Sequence, residues 1–396
     1  MMHQRSVNTT GVDALQPVLA GLLAALIGYA STFALVLAAF SAVGASPEQA
    51  ASGLFAMCLC MAALNALVAW RTRIPFSYAW STPGAALLIA MGPLDGGFAS
   101  ATGGFIMAAA LVILAGIWKP FARLMVALPA SIANAMLAGI LLTLCLAPVK
   151  AIEVEPLLAM PIVLAWGLGM VFVRRFAVPL AVLVTIIVLV LTTHVSPSLT
   201  TNAAPALLPV FPVFTFDGFF RIALPLFVVT MASQNLPGIA VMKANGYEVA
   251  PAPQLLTTGL ASVVSALFGG LTVNLAAITA AITAGPEAHP DPARRWVAPI
   301  AAGAGYLVLG LGAGLAASFV AAAPPILIQA VAGLALLSSL SGALANALTI
   351  AEERLPAILT FVTAASGITI AGIGAAFWGL IAGLVLLTLL RWRESR

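Results

Sequence analysis

The sequence predicts an all-α polytopic membrane protein: fourteen transmembrane spans in two inverted repeats of seven, with spans 3 and 10 half extended and half helical. Three observations predict it. The 396 residues are 62% hydrophobic and only 7% charged, with a mean hydropathy of +1.14, where soluble domains carry about 25% charged residues. Charge-free runs extend from Asp13 to Glu48, from Arg123 to Lys150 and from Arg295 to Glu352, with room for one, one and two spans at ~20 apolar residues each. A polar, Pro-rich connector, 192-TTHVSPSLTTNAAP-205, separates two stretches of similar length.

In order, the spans of the first half fall at 15–40, 49–70, 76–93, 98–118, 122–147, 156–173 and 176–194. Those of the second fall at 222–242, 252–269, 273–286, 296–318, 324–347, 355–370 and 373–390. The first run is too long for the core of a secretory signal and is read as a retained span. With the N-terminus in the cytoplasm, fourteen of the sixteen basic residues lie on the cytoplasmic side, leaving only Lys150 and Arg221 outside. One span more or fewer would break that alternation, so both termini are expected to be cytoplasmic. Scattered bases at span ends also argue against nucleic acid as a partner, despite a pI near 9.3. Cys58, Cys60 and Cys145 all lie within spans, without CxxC spacing or clustered histidines. They read as packing residues, and neither a metal nor a cofactor is expected.

Because seven is odd, a second copy of the first half must lie upside down relative to it. Three matches in common order support duplication: 82-TPGAALLIA-90 with 273-VNLAAITAA-281, 30-AST-32 with 232-ASQ-234, and, allowing a one-residue gap, 129-PASIANAMLAGILL-142 with 324-PPILIQAVAGLALL-337. Their offsets are close to one another, 191 for the first and 202 for the second.

Span 3 opens with 76-FSYAWSTPG-84. Pro suits a first helical turn and Ser or Thr the position before it, so a half-helix is expected from Thr82, midway across the bilayer. In span 10, 269-GGLTVN-274 reads as extended, Asn274 as an N-cap and 275-LAAITAAITAG-285 as a second half-helix. The two spans run in opposite directions, so both N-termini meet near the midplane. Each end presents unpaired N–H groups and about half a positive charge, which together make an anion site without any Lys or Arg.

Beside them, 231-MASQNLPGIAV-241 interrupts span 8 with Ser233, Gln234, Asn235 and Pro237. One reading is a kinked helix whose amides join neighbouring spans. The coincidence of these residues with two half-helix ends favours a site, with Ser31 and Thr32 of span 1 at the same depth. No ionisable residue lies deep in a span. Asp95 and Glu287 are the nearest acidic candidates for coupling or gating, and the remainder of 287-EAHPDPARR-295, like Glu352, Glu353 and Arg354, reads as solvated loop charge.

The stretches 77-SYAWSTPGAALLIA-90, 231-MASQNLPGIAVMKANGY-247 and 274-NLAAITAAITAGPEAHPDPARRW-296 resemble the benzoate:proton symporter family, itself related to the nucleobase and sulfate/bicarbonate transporters. The resemblance covers nearly the whole chain. It implies a bacterial inner-membrane protein with a core domain at 15–118 and 222–318, a gate domain at 122–194 and 324–390, and a connector at 195–221. It also implies a substrate held between spans 3 and 10 with spans 1 and 8 beside it. The implied site is Ser31, Thr32, Thr82, Gly84, Ala85, Ser233, Gln234, Asn235, Asn274, Leu275 and Ala276. Nucleobase relatives carry acidic residues in spans 8 and 10, where this chain has amides, which favours an organic anion.

The expected activity is therefore secondary uptake of benzoate or a similar aromatic carboxylate, with a proton, by movement of core against gate. The expected partners are that small molecule and the lipid bilayer, with a homodimer formed through the gate domains. The alternative is an inorganic or other organic anion exchanger or channel of the same fold. An enzyme is not expected, since HExxH, GxSxG and an intramembrane Asp pair are all missing, as is a P-loop for ATP-driven transport.

Overall fold

The computed structural model describes residues 11–120, 128–192, 205–370 and 373–394. The first half contains α1 (Gly11–Ala42), α2 (Pro47–Thr72), strand β1 (Tyr78–Trp80) leading into α3 (Thr82–Met91), α4 (Gly97–Ile117), α5 (Ala130–Cys145), α6 (Ala147–Val154), α7 (Pro156–Phe172) and α8 (Ala177–Thr192). The second half contains α9 (Gly218–Ala244), α10 (Pro251–Ala266), strand β2 (Val273–Leu275) leading into α11 (Ala277–Ala284), α12 (Val297–Leu311) and α13 (Ala313–Ala322). It closes with α14 (Pro325–Ala347), α15 (Arg354–Ala365), the short strands β3 (Thr369–Ile370) and β4 (Ile373–Gly374), and α16 (Ala375–Glu394).

Among the described residues, eight helices are long and apolar enough to cross a bilayer, nine if α12 and α13, bent by 53° at Gly312, form one span. A count of fourteen requires five shorter segments to cross as well: β1–α3, α7, α10, β2–α11 and α15. The lipid-facing sides are evident from large apolar side chains left uncovered, including Leu157, Phe172 and Leu191 at 87%, 77% and 78% exposure. In water such surfaces would drive association; against acyl chains they cost nothing.

Several boundaries differ from the sequence reading. The start of span 5 at 122–127 and the connector at 193–204 lie outside the described residues. Span 13 ends at Ala365, and Gly367 at φ +67° turns the chain into the β3–β4 hairpin, so span 14 begins at Ala375 rather than 373. Hydropathy cannot see a turn inside one charge-free run. Glu353, read as solvated, is buried and accepts hydrogen bonds from Ser131 on α5 and Arg391 on α16. It joins three helices at one end of the bundle.

Helix α9 is continuous rather than broken. It contains two π-helical turns, at 218–223 and 231–235, and each is followed by a Leu-Pro pair. The wide turn places the Leu224 N–H on Phe219 O and the Leu236 N–H on Met231 O, five residues back. Pro225 and Pro237 each lack an N–H and would strike the carbonyl four residues earlier. Widening the turn shifts that carbonyl aside, so the helix survives both prolines.

Packing follows the duplication. Helix α2 lies against α12, and α10 lies against α4, as two related contacts of inverted copies should. Helix α1 also packs on α12, while α5, α14, α15 and α16 form a second group and α7 packs on α8. Close approach depends on small residues: a Cβ on Gly21 of α1 would sit 1.9 Å from the Ala298 carbonyl oxygen of α12. The two groups meet where α1 faces α14 and α3 faces α5.

Candidate functional site

Extended backbone inside a bilayer must find partners within the protein. Strands β1 and β2 find each other. They pair antiparallel, with Tyr78 opposite Leu275, Ala79 opposite Asn274 and Trp80 opposite Val273. The pairing extends through Ser81 N–H to Thr272 O (3.2 Å) and Ala276 N–H to Ser77 O (2.9 Å).

The outer edges are covered by side chains. Asn65 of α2 donates to Tyr78 O at 2.9 Å and accepts from Tyr78 N–H at 3.0 Å. Ser262 of α10 takes both backbone groups of Val273, at 2.9 and 3.1 Å. Asn235 of α9 accepts from Leu275 N–H at 3.0 Å. Each extended half-span is thus covered by a side chain from the helix before it, the same solution used twice.

The ladder corrects the repeat register. Ala79 and Asn274 are 195 residues apart, as are the helix starts Thr82 and Ala277. The offset of 191 seen in the sequence lies four residues from this, one helical turn, because Ala-rich segments match themselves at that spacing. Asn274 therefore sits within β2 and is not the N-cap of α11; Ala276 occupies that position and supplies no side-chain hydrogen bond. Helix α3 differs, since Ser81 accepts from Gly84 N–H at 3.0 Å. The first-turn amides of α11 are the less satisfied pair of the two ends.

The opposite ends of these half-helices are held by arginines. Arg221 donates to Met91 O (3.2 Å) and Pro93 O (3.4 Å) at the end of α3. Arg295 is buried and donates to Ala284 O (2.9 Å), His289 O (2.7 Å) and Pro290 O (3.3 Å) after α11. Positive charge at each C-terminus complements the negative end of the dipole. Arg295 and His289 are accordingly buried, not the solvated loop charges the sequence suggested.

Both half-helix N-termini border one cavity of about 430 Å³, a size typical of small-molecule sites. Thr82 and Ala276 mark the two helix starts, Gln234 comes from the π turn of α9, and Ser31 and Thr32 come from α1. Trp80, Tyr306, Ile278 and Ile282 supply an apolar side, while Val178, Ala335, Ser338 and Ser339 close it from α8 and α14. Trp80 is fixed through its indole N–H to Thr32 Oγ1 at 2.9 Å, with Tyr29 tilted against it and stacked on Phe33. A second cavity of about 310 Å³ lies by Met91, Arg221 and Gln329, at the negative end of α3. Two positive helix ends favour an anion in the first.

Of the residues singled out from sequence, Ser31, Thr32, Thr82, Gln234 and Ala276 border the cavity. Gly84, Ala85, Ser233, Asn235, Asn274 and Leu275 do not, and they support its walls instead. A Cβ on Gly84 would lie 2.5 Å from Leu226 Cδ1, so this glycine admits α9 against α3. Ser233 donates to Val229 O at 2.6 Å, turned back on its own helix. Asn274 and Ala85 are fully enclosed. Asp95 lies exposed in the turn after α3, apart from the cavity.

Sequence reasoning missed Tyr306, Ser338 and Ser339, which lie in apolar stretches carrying no motif, and Thr279, which lies inside the second half-helix but was not singled out. It also missed Arg175, which borders the cavity and pairs with Glu287 at 2.6 Å.

A paired strand–helix cradle inside a bundle of apolar helices defines the class: a polytopic membrane transporter built from inverted repeats. The model of the family described as benzoate membrane transport protein (BenE) matches residues 13–389, and the chain belongs to that family. It is 43% identical over 382 residues to the "Inner membrane protein YdcO" of Escherichia coli (strain K12), covering 96% of each chain. It is 30% identical over 371 residues to the "Benzoate membrane transport protein" of Acinetobacter baylyi (strain ATCC 33305 / BD413 / ADP1), covering 94% of each. In fold it is similar to the transmembrane domain of the cyanobacterial bicarbonate transporter BicA, with a TM-score of 0.61, 19% identity, and 97% of this chain and 98% of that one covered.

Proposed function

We propose that the protein is a secondary transporter that moves benzoate or a similar aromatic carboxylate, together with a proton, into the cell across the bacterial inner membrane. The observation that carries this reading is the 430 Å³ cavity, where two half-helix N-termini, Gln234 and an aromatic wall of Trp80 and Tyr306 converge. A carboxylate would lie at the Thr82 and Ala276 ends, where N–H groups and the helix dipoles favour negative charge. The ring would lie against Trp80 and Tyr306, where burial of apolar surface adds affinity.

The cavity lies between the two packing groups, which on this reading are the core (15–118 and 222–318) and the gate (122–194 and 324–390). All fourteen segments then cross, both termini are cytoplasmic, and the Arg175–Glu287 end faces the cytoplasm. Transport would follow from an elevator or rocking displacement of core against gate, exposing the cavity alternately. An inorganic anion in the same place would leave the aromatic wall unused, which argues against the exchanger reading.

The test is uptake of labelled benzoate into proteoliposomes with an imposed inward proton gradient. Uptake should be concentrative, collapse when a protonophore dissipates the gradient, and resist competition by bicarbonate, sulfate and chloride. Uptake that ignores the gradient removes proton coupling. Competition by the inorganic anions at concentrations comparable to benzoate would move the assignment to an exchanger.

A further inference from the structure

Among the described residues, one charged side chain borders the cavity just described, and it comes from outside the half-helix cradle. Arg175 lies in the short 3-10 turn Arg174–Phe176 that opens α8. Its Nη2 donates to both carboxylate oxygens of Glu287, at 2.7 and 2.6 Å. Both bonds use the same nitrogen of the guanidinium. Glu287 follows α11 and is anchored by its backbone, whose carbonyl accepts from Gln16 Nε2 of α1 at 3.1 Å. It faces an adjoining cavity of about 400 Å³ that Arg175 also borders, so the arginine stands in the wall between the two spaces.

We propose that Arg175 is a specificity-determining residue that receives the substrate carboxylate on its way between these cavities, and that Glu287 is the internal carboxylate it releases. This rests on the larger cavity being the substrate site. Three observations support an exchange over a permanent brace. The side chains are 55% and 58% exposed, and ion pairs in such surroundings contribute little to stability and open readily. The guanidinium offers five donors in a planar fork, matched to any carboxylate, and Glu287 engages one nitrogen of it. Among the described residues the other cavity-lining side chains are neutral, so an incoming anion meets one full positive charge there, on the route toward the two helix ends. Glu287 keeps that charge from standing unpaired while the cavity is empty, and sets a threshold an anion must exceed. A neutral aromatic acid or an alcohol analogue cannot make the exchange, which turns the pair into a filter for ionised carboxylates.

The experiment measures equilibrium binding of labelled benzoate to the purified full-length protein and its transport in inside-out vesicles. Arg175→Gln should weaken benzoate binding at least tenfold, while Arg175→Lys, a point charge without the fork, should recover part of that loss. Glu287→Gln removes the competitor and should tighten benzoate binding several-fold while leaving the binding of benzyl alcohol unchanged. The double variant Arg175→Glu with Glu287→Arg rebuilds the ion pair with its charges reversed and places a carboxylate on the cavity wall. If the pair is an exchange device, this variant binds benzoate at least as poorly as Arg175→Gln. Wild-type binding and transport by the double variant would show a mere brace and overturn the proposal, as would unchanged binding by Arg175→Gln. Ala276→Leu, which fills the larger cavity without touching the pair, separates the two levels. Binding lost in Ala276→Leu but unaffected by Arg175→Gln overturns the role of Arg175 alone; binding unaffected by either overturns the cavity assignment as well.

Discussion

Asn235→Ala offers the sharpest test of how the cradle is built. Asn235 is 0% exposed, and its Oδ1 accepts from the backbone N–H of Leu275, itself 1% exposed, at 3.0 Å. Truncation leaves that amide without a partner and without room for water to reach it. Stranding one buried backbone donor costs about 1–3 kcal/mol; the contact of Nδ2 with Met231 Sδ at 3.6 Å adds little. At ~2.1 cal/mol/K of unfolding entropy per residue, this lowers Tm by about 1–4 °C for a chain of this length. The same energy spent locally shifts the balance between paired and unpaired β2 by a factor of roughly 5–150. Benzoate uptake should therefore fall together with Tm. Gln234→Ala is the control: its side chain borders the cavity, so uptake should fall while Tm stays within about a degree of wild type. Differential scanning fluorimetry on purified protein and uptake into proteoliposomes read the two quantities. A wild-type Tm for Asn235→Ala, or a lowered Tm with normal uptake for Gln234→Ala, would refute the division into wall and lining.

Ala276→Asp places a carboxylate on the start of α11, where it occupies the dipole end reserved for the substrate; the Kd for benzoate should rise more than about tenfold, checked by equilibrium binding. Gly84→Val drives a side chain into Leu226 Cδ1 and Ser81 Oγ, 2.5 and 2.8 Å from the first added carbon. Overpacking of this kind costs about 1–3 kcal/mol, visible as a lower Tm and a reduced yield of monodisperse protein. Arg295→Met strands the carbonyls of Ala284, His289 and Pro290 and removes the cation from the end of α11. The loss should be on the order of 2–3 kcal/mol, with faster tryptic cleavage in the 287–295 loop.

The half-helices were legible because their signals are local. Ser81-Thr82-Pro83 meets the N-cap and first-turn preferences of a helix start, and Thr82 is where α3 begins. The register of span 10 was not legible, since a segment such as 275-LAAITAAITAG-285 matches its relative almost equally well one turn away. Only the strand pairing, a long-range contact, resolves it. Gln234 and Asn235 are neighbours with the same functional group, yet one faces the cavity and the other a strand; no local pattern distinguishes them. Pro237 allowed a kink as one reading, but the π turn before it absorbs the clash within a continuous helix. Charge was the least legible. Arg175, Arg295 and Glu353 sit at span ends like any orienting residue, and only their partners across the fold reveal work beyond topology.

The two-stranded ladder also constrains how such a chain can have arisen. A lone half would carry a strand whose inner edge faces hydrocarbon with no answering backbone. Its natural complement is another copy inserted the opposite way up, which fits an origin from one unit able to enter the membrane in both orientations. Joining the copies in one chain makes that meeting intramolecular, and because it runs backbone to backbone the side chains along it can differ, as Tyr78-Ala79-Trp80 and Val273-Asn274-Leu275 do.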